Sequence, residues 1–265
     1  DEVVLAKAAG LGDKPALVDA ASGRTLSYRE LATQVDRFAA NLRARGLRQG
    51  EVLGVLLPNV PEYAVAFLGT VRAGGVVTTL NPGYTAREVQ AQLADSGATR
   101  LVTLPALLET AIAAAAGTRV VELVVAGADA PTLAAAVSGA RAAGAPVPAI
   151  TALEVLLREP PRGATAVPPG PVTPRDLVAL PYSSGTTGVS KGVMLTHRNL
   201  VANLAQIASV VPLRDGDVLM AVLPFFHIYG MEVIMLSGLA QGATLVTMPR
   251  FDLDLFLRAH QQSRL

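Results

Sequence analysis

The chain has no cysteine among its 265 residues, which removes disulfides, thiolate metal sites and a cysteine nucleophile from consideration. The same absence suits a reducing compartment, and a cytoplasmic location is the expectation. It also lacks a charge excess. Lys plus Arg number 22 against 21 Asp plus Glu, a formal net charge of +1, so no polyanion-binding stripe is implied and nucleic acid is not an expected partner. Long apolar runs are missing too, despite a mean hydropathy of +0.43. The apolar stretch after Met231 is broken by Glu232 and Gly238, short of the 18 or more apolar residues that a spanning helix requires. No signal peptide is legible in the opening DEVVLAKAAG, which carries acidic residues. An initiating Met is absent as well, which suggests a trimmed or partly represented chain.

What is present is 51% hydrophobic residues, ample for a core, spread over short segments. Residues 16–19 read as a strand, with a turn at Ser22-Gly23 into Thr25-Leu26. Ser27 and Glu30 form a capping box for a helix bearing Leu31, Val35, Phe38 and Leu42 and stopping near Gly46. The run 52–57 is continuous and apolar, as in a strand covered on both faces. Pro61 opens a helix with Tyr63, Phe67 and Val71, and Gly74-Gly75 lead into a strand at 76–79. Thr85 with Glu88 is a second capping box, for a helix ending near Gly97; strands follow at 101–103 and 121–125. The Ala- and Gly-rich stretch 126–149 gives a weakly anchored helix. Strands alternating with amphipathic helices predict an α/β fold of layered lobes with mostly parallel sheets.

Six prolines crowd residues 160–174, with Gly163 and Gly170 among them. Such a stretch holds neither a helix nor a central strand. It divides the chain into a first α/β lobe (1–159), a linker (160–175) and the start of a second lobe (176–265). In that second part, strands are expected at 218–223 and 243–248. A helical stripe joins Met231, Ile234, Met235, Gly238 and Leu239.

The stretch around which the chemistry gathers is 182–192, YSSGTTGVSKG. A short buried strand at 177–180 leads in. Residues 193–195 lead out to Thr196, a helix cap, and to a helix face of Leu200, Leu204, Ile207 and Val211. Glycines let several N–H groups turn toward one point, Ser and Thr hydroxyls add donors, and Lys191 adds a compact positive charge. A phosphate chain asks for that combination. The P-loop alternative requires Lys directly after Gly, with Ser or Thr next; here Val189 and Ser190 intervene and Gly192 follows, so that geometry is absent. A second cluster, LPFFHIYG at 223–230, sits where a strand ends, the usual place for ligands in α/β proteins.

YSSGTTGVSKGVMLTHRNL resembles the phosphate-binding signature of the AMP-forming adenylating superfamily, which includes acyl- and aryl-CoA ligases, luciferases and peptide-synthetase adenylation domains. Ser190 stands where many members carry Pro, a change worth roughly 0.4–1 kcal/mol of loop freedom. The resemblance is closest to 4-coumarate–CoA ligases and related acid–CoA ligases. It implies that Ser183, Ser184, Gly185, Thr186, Thr187, Gly188 and Lys191 contact ATP phosphates. It also implies that His227 lies near the substrate carboxylate, with Tyr229 and Gly230 near its acyl or aryl body; Lys191 and His227 are the candidate catalytic residues. MPRFD at 248–252 is similar to a third family stretch and implies a coenzyme contact for Arg250, through phosphate pairing. No acidic residue occurs in FHIYG to pair with a substrate ammonium, and a buried ammonium without a partner is costly. A carboxylic acid without an amino group is therefore expected.

The implied reaction joins carboxylate and ATP into an acyl-adenylate and then transfers the acyl group to CoA, with Mg²⁺ accompanying ATP and no metal ligand assignable in this chain. In related enzymes the acidic metal-binding motif, the ribose-binding Asp and the C-terminal lid lie later. The chain thus matches the N-terminal portion. Aliphatic acids as substrates, a carrier protein as acceptor, and a non-catalytic nucleotide-binding module remain open readings. Oligomeric state is not legible.

Overall fold

In the computed structural model, the described residues are 1–142, 146–160, 162–168, 170–183, 190–214 and 216–262. Chain order begins with α1 (Ala8–Leu11), β1 (Pro15–Asp19), β2 (Thr25–Ser27), α2 (Tyr28–Ala44), β3 (Val52–Val55), α3 (Pro61–Arg72), β4 (Val76–Thr79), α4 (Ala86–Ser96) and β5 (Arg100–Thr103). A 3₁₀ turn (Pro105–Leu107) leads into α5 (Leu108–Ala115), β6 (Glu122–Val125), α6 (Ala130–Ala142), β7 (Ala149–Ala152) and α7 (Leu153–Leu156). Then come β8 (Leu177–Ser183), β9 (Lys191–Gly192), β10 (Leu195–Thr196), α8 (His197–Val210) and β11 (Val218–Ala221). A π-helical segment (Tyr229–Leu236) runs into α9 (Ser237–Gln241), and β12 (Thr244–Thr247) and α10 (Leu253–Gln262) close the order.

The helix boundaries follow local chemistry. Both foreseen capping boxes form: Ser27 Oγ and Thr85 Oγ1 accept from the N–H of Glu30 and Glu88, whose carboxylates return the bond. Thr196 caps α8 in the same way, with Asn199 in the answering position. Gly97 ends α4 at φ 67°, a left-handed conformation that costs glycine least.

Two sheets organise the molecule. The larger has the order β10-β8-β4-β3-β5-β6-β7, with β9 attached to β8. Its strands β8, β4, β3, β5, β6 and β7 run parallel, while β9 and β10 are antiparallel to β8. The smaller sheet has the order β11-β12-β1-β2, parallel from β11 through β1. Helix α3 packs on β3 and β4 of one sheet and β1 of the other. Its buried residues run from Pro61 through Val71 on all sides, as a helix enclosed between layers must.

The sheets do not divide the chain at its proline-rich stretch. β8 joins the sheet built by residues 52–152, and β1 and β2 join the sheet built by 218–247. Neither range completes a sheet alone, because β1 finds its parallel partner only in β12. The expected single cut at 160–175 is thus replaced by strands exchanged in both directions. Smaller departures have simple causes. The apolar runs 52–57 and 218–223 leave their ladders at Val55 and Ala221 and become loops with other partners. Val211 ends α8 and is 50% exposed, so its apolar face is not part of the buried stripe of Leu200, Leu204 and Ile207.

Gly69 on α3 faces α2, where an added Cβ would lie 2.6 Å from Phe38 Cδ1, a ring with no exposed surface. Alanine gains about 1 kcal/mol of helix propensity there, against an overpacking cost of about 1–3 kcal/mol. We expect Gly69→Ala to lower the urea midpoint; an unchanged or higher midpoint would contradict this packing.

Candidate functional site

Parallel strands present their carboxyl ends at one edge, and β3, β4 and β8 are neighbours there. β8 ends at Ser183, whose carbonyl accepts a bond from Ser190 Oγ at 3.4 Å. The chain returns as β9, in register Tyr182↔Gly192 and Ser183↔Lys191. The hydroxyl- and glycine-rich loop therefore springs from a two-stranded base at the carboxyl end of β8. Ser184, Gly185, Thr186, Thr187 and Gly188 lie outside the described residues. Ser183 and Lys191 face each other across the base, and both are exposed.

The base is itself anchored. Tyr182 lies over Gly192, where a Cβ would come within 3.0–3.2 Å of the phenol ring; only glycine leaves room for it. The phenol donates to Asp95 Oδ2 on α4 at 2.5 Å. Burial, then the Asp95 bond and charge, push the Tyr182 hydroxyl well above its ordinary pKa, so it remains a donor across the working range. Just past β9, Val193 N–H donates to Pro181 O at 2.8 Å and continues that pairing.

The histidine segment arrives from the smaller sheet. It leaves β11 at Ala221 and is caught by side chains from the larger sheet's edge. Asn59, in the loop after β3, donates from Nδ2 to the carbonyls of Ala221 and Leu223, both at 2.8 Å. Its Oδ1 accepts from Phe225 N–H at 2.8 Å. Thr79, the last residue of β4, donates from Oγ1 to Phe226 O at 2.8 Å. Phe225 is fully buried and meets Tyr63 of α3 edge-on, ring centroids 5.5 Å apart.

His227, Ile228 and Tyr229, next in the chain, are exposed. Tyr229 N–H donates to His227 Nδ1 at 3.3 Å. That acceptor role puts the proton of the neutral ring on Nε2, the nitrogen left to meet a ligand. Thr79 pairs with Pro181 across the β4–β8 ladder. A single residue of β4 thus links the histidine segment to the strand that carries the base of the loop.

The remaining expected residues separate into two kinds. Arg250 lies exposed just beyond β12, and β12 is the parallel neighbour of β11, so its loop leaves the same edge of the smaller sheet as the histidine segment. Gly230 is different. It is buried, and a Cβ there would sit 2.1 Å from Pro224 O. The glycine is needed for the chain to fold back on residues 223–224.

Sequence periodicity missed the π-helical segment, because Met231, Ile234 and Met235 also satisfy an α-helical stripe. Ser237 N–H reaches Glu232 O, five residues back, and such widened turns recur at functional sites. Asn59 and Thr79 were missed too. Both read as ordinary loop and strand residues until the tertiary partners are known.

Glu232, on the π-helical segment, is 2% exposed, and neither carboxylate oxygen has a hydrogen-bond partner among the described residues. Burial pushes its pKa up to about 8. Among the described residues no group of three or more His, Asp or Glu side chains gathers for a metal ion. None of their helices is long and apolar enough to cross a membrane.

Two mostly parallel sheets with helices packed between and around them define an α/β class. The AMP-binding enzyme family model matches residues 4–264, and the chain belongs to that family. It is 40% identical over 255 residues to 4-coumarate–CoA ligase 5 of Oryza sativa subsp. japonica, covering 95% of this chain and 43% of that protein. A long-chain-fatty-acid-CoA ligase structure from Archaeoglobus fulgidus superposes at TM-score 0.83 with 25% identity, covering 99% of this chain and 49% of that one. ATP-bound MatB from Rhodopseudomonas palustris superposes at TM-score 0.71 with 27% identity, over 99% and 48% of the two chains. The chain thus spans less than half the length of these relatives.

Glu232 yields a pH prediction. Its folded pKa is raised from 4.5 to about 8, so the folded state keeps a proton that the unfolded state gives up. Stability should fall as pH rises between those values and level off above. Glu232→Gln should flatten that decline in urea midpoints measured across the window. An unaltered pH slope would show that the carboxyl is solvated in solution.

Proposed function

We propose that this chain is the N-terminal, acid- and nucleotide-handling part of an AMP-forming acid–CoA ligase. The observation that carries the reading is the meeting of the loop base and the histidine segment at β4, through the Thr79↔Pro181 register and the Thr79–Phe226 bond. An acid and the phosphates of ATP need adjoining cradles. Family membership and the 4-coumarate–CoA ligase likeness support the same reading.

In this reading a substrate carboxylate oxygen attacks the α-phosphorus of ATP. The bond from that phosphorus to the bridging oxygen breaks, pyrophosphate leaves, and an acyl-adenylate forms. The CoA thiol then attacks the acyl carbon and AMP departs. The protein contributes placement and charge neutralisation more than covalent chemistry. Ser183, Lys191 and the loop residues 184–188 serve the phosphates, with Lys191 as the point charge. His227 offers Nε2–H toward the carboxylate end, and Tyr229, 50% exposed, offers an apolar body with a polar tip for an aromatic acid. Arg250 is assigned to a coenzyme phosphate. Mg²⁺, as part of the ATP substrate, would supply screening of the phosphate charge beside Lys191. Hydroxycinnamate-like acids are the first choice of substrate, and the fatty-acid ligase likeness makes aliphatic acids the comparison set.

Two measurements test this. In the protein with the sequence that naturally accompanies these residues, Lys191→Ala should raise KM for ATP about tenfold or more, the loss of a charge-assisted phosphate contact of about 1.5–3 kcal/mol. Unchanged ATP kinetics would remove Lys191 from the site. The 265 residues alone should release no pyrophosphate above background from ATP, Mg²⁺ and a panel of aryl and fatty acids. Rapid acid-dependent release would refute the dependence on further sequence.

A further inference from the structure

Thr78 and Thr79 are the last two residues of β4, a strand inside the larger sheet, and they are 0% and 2% exposed. Valine would suit such a strand equally well by shape and better by solvation, so two adjacent hydroxyls there need partners to offset their burial. They have them, on opposite faces of the strand. Thr78 Oγ1 donates to Leu180 O of β8 at 2.9 Å, and Thr79 Oγ1 to Phe226 O at 2.8 Å. Gln92 of α4, 5% exposed, donates from Nε2 to Thr78 Oγ1 at 2.9 Å and to Thr79 O at 3.0 Å. One short stretch of backbone, stiffened by Gln92, therefore holds both the strand that carries the loop and the segment that carries the histidine.

The Thr79 bond ends on the last residue before His227. Upstream, Asn59 fixes 221–225 through its three bonds. Downstream, the next bonds stay within the segment itself, Tyr229 N–H to His227 Nδ1 and Met231 N–H to His227 O. Thr79 is thus the final tether before the exposed imidazole.

We propose that Thr79 is a positioning residue, its hydroxyl setting the place of the His227 imidazole relative to the β8–β9 base through the Phe226 carbonyl. This rests on the acid-ligase reading above. It predicts that loss of the hydroxyl disturbs the acid end of the reaction and leaves the ATP end in place, because the β4–β8 ladder and the Thr78 bond are untouched. A misplacement on the order of 1 Å is worth about a hundredfold in rate, so even a slack tether is measurable.

The experiment compares Thr79→Val, which keeps the shape, with Thr79→Ser, which keeps the hydroxyl, in the naturally occurring full polypeptide. Acid-dependent pyrophosphate–ATP exchange gives kcat/KM for the acid and KM for ATP; thermal unfolding gives stability. The expected result is a loss of about tenfold or more in kcat/KM for the acid in Thr79→Val, with KM for ATP within about twofold and Thr79→Ser within about threefold of the parent. An equal rise in both KM values, or equal losses in Val and Ser variants, would reduce Thr79 to a structural support. Retained acid kinetics in Thr79→Val would overturn the proposal outright.

A second readout is independent of turnover. The NMR signals of the His227 imidazole should shift in Thr79→Val and not in Thr79→Ser. Shifted signals in a protein that activates no acid would keep the tether and refute the ligase reading; unshifted signals would refute the tether. If Thr79→Val does not fold, Thr79→Ala is read in its place.

Discussion

The constraint on which the site depends is the joining of two sheets by side-chain hydrogen bonds to main-chain groups. Loop 221–226 comes from the smaller sheet and would be free to choose its own path beyond β11. Asn59 and Thr79, from the edge of the larger sheet, supply four bonds to its backbone, each 2.8 Å long. Buried main-chain groups must find partners, and this loop finds them in the other sheet. The tie is therefore directional, as packing between apolar faces is not.

The exchange of strands reinforces the tie. β1 and β2, near the start of the chain, belong to the sheet built by the later residues, and β8 belongs to the sheet built by the earlier ones. Helix α3 fills the space between, with its apolar surface covered on all sides. Moving one sheet against the other would uncover α3 and break the Asn59 and Thr79 bonds together. The loop base and the histidine segment are accordingly parts of one framework, anchored on the outside by Tyr182 to Asp95.

Against this order, Glu232 stands out as an ionisable group buried without a hydrogen-bond partner among the described residues. It remains neutral over much of the pH range because its surroundings disfavour the charge. Its place on the π-helical segment that begins two residues beyond His227 puts an unspent polar group close in sequence to the candidate acid-binding stretch.

Where local chemistry sets the structure, the sequence alone was sufficient. Ser27–Glu30 and Thr85–Glu88 announced their helices because a capping box closes within four residues. The strands 76–79 and 16–19 were legible as short strand-like segments beside the turn residues Gly74-Gly75 and Ser22-Gly23. The family resemblance was legible because its loop is contiguous. Tertiary structure alone decided the partners. Nothing local could tell that β1 would pair with β12, that Gly230 exists to let the chain pass Pro224 O, or that Thr79 and Asn59 would reach residues 147 and 166 positions away. A hydrogen-bond donor is visible in a sequence; its acceptor is chosen by the fold, because only folding brings the two within 3 Å of each other.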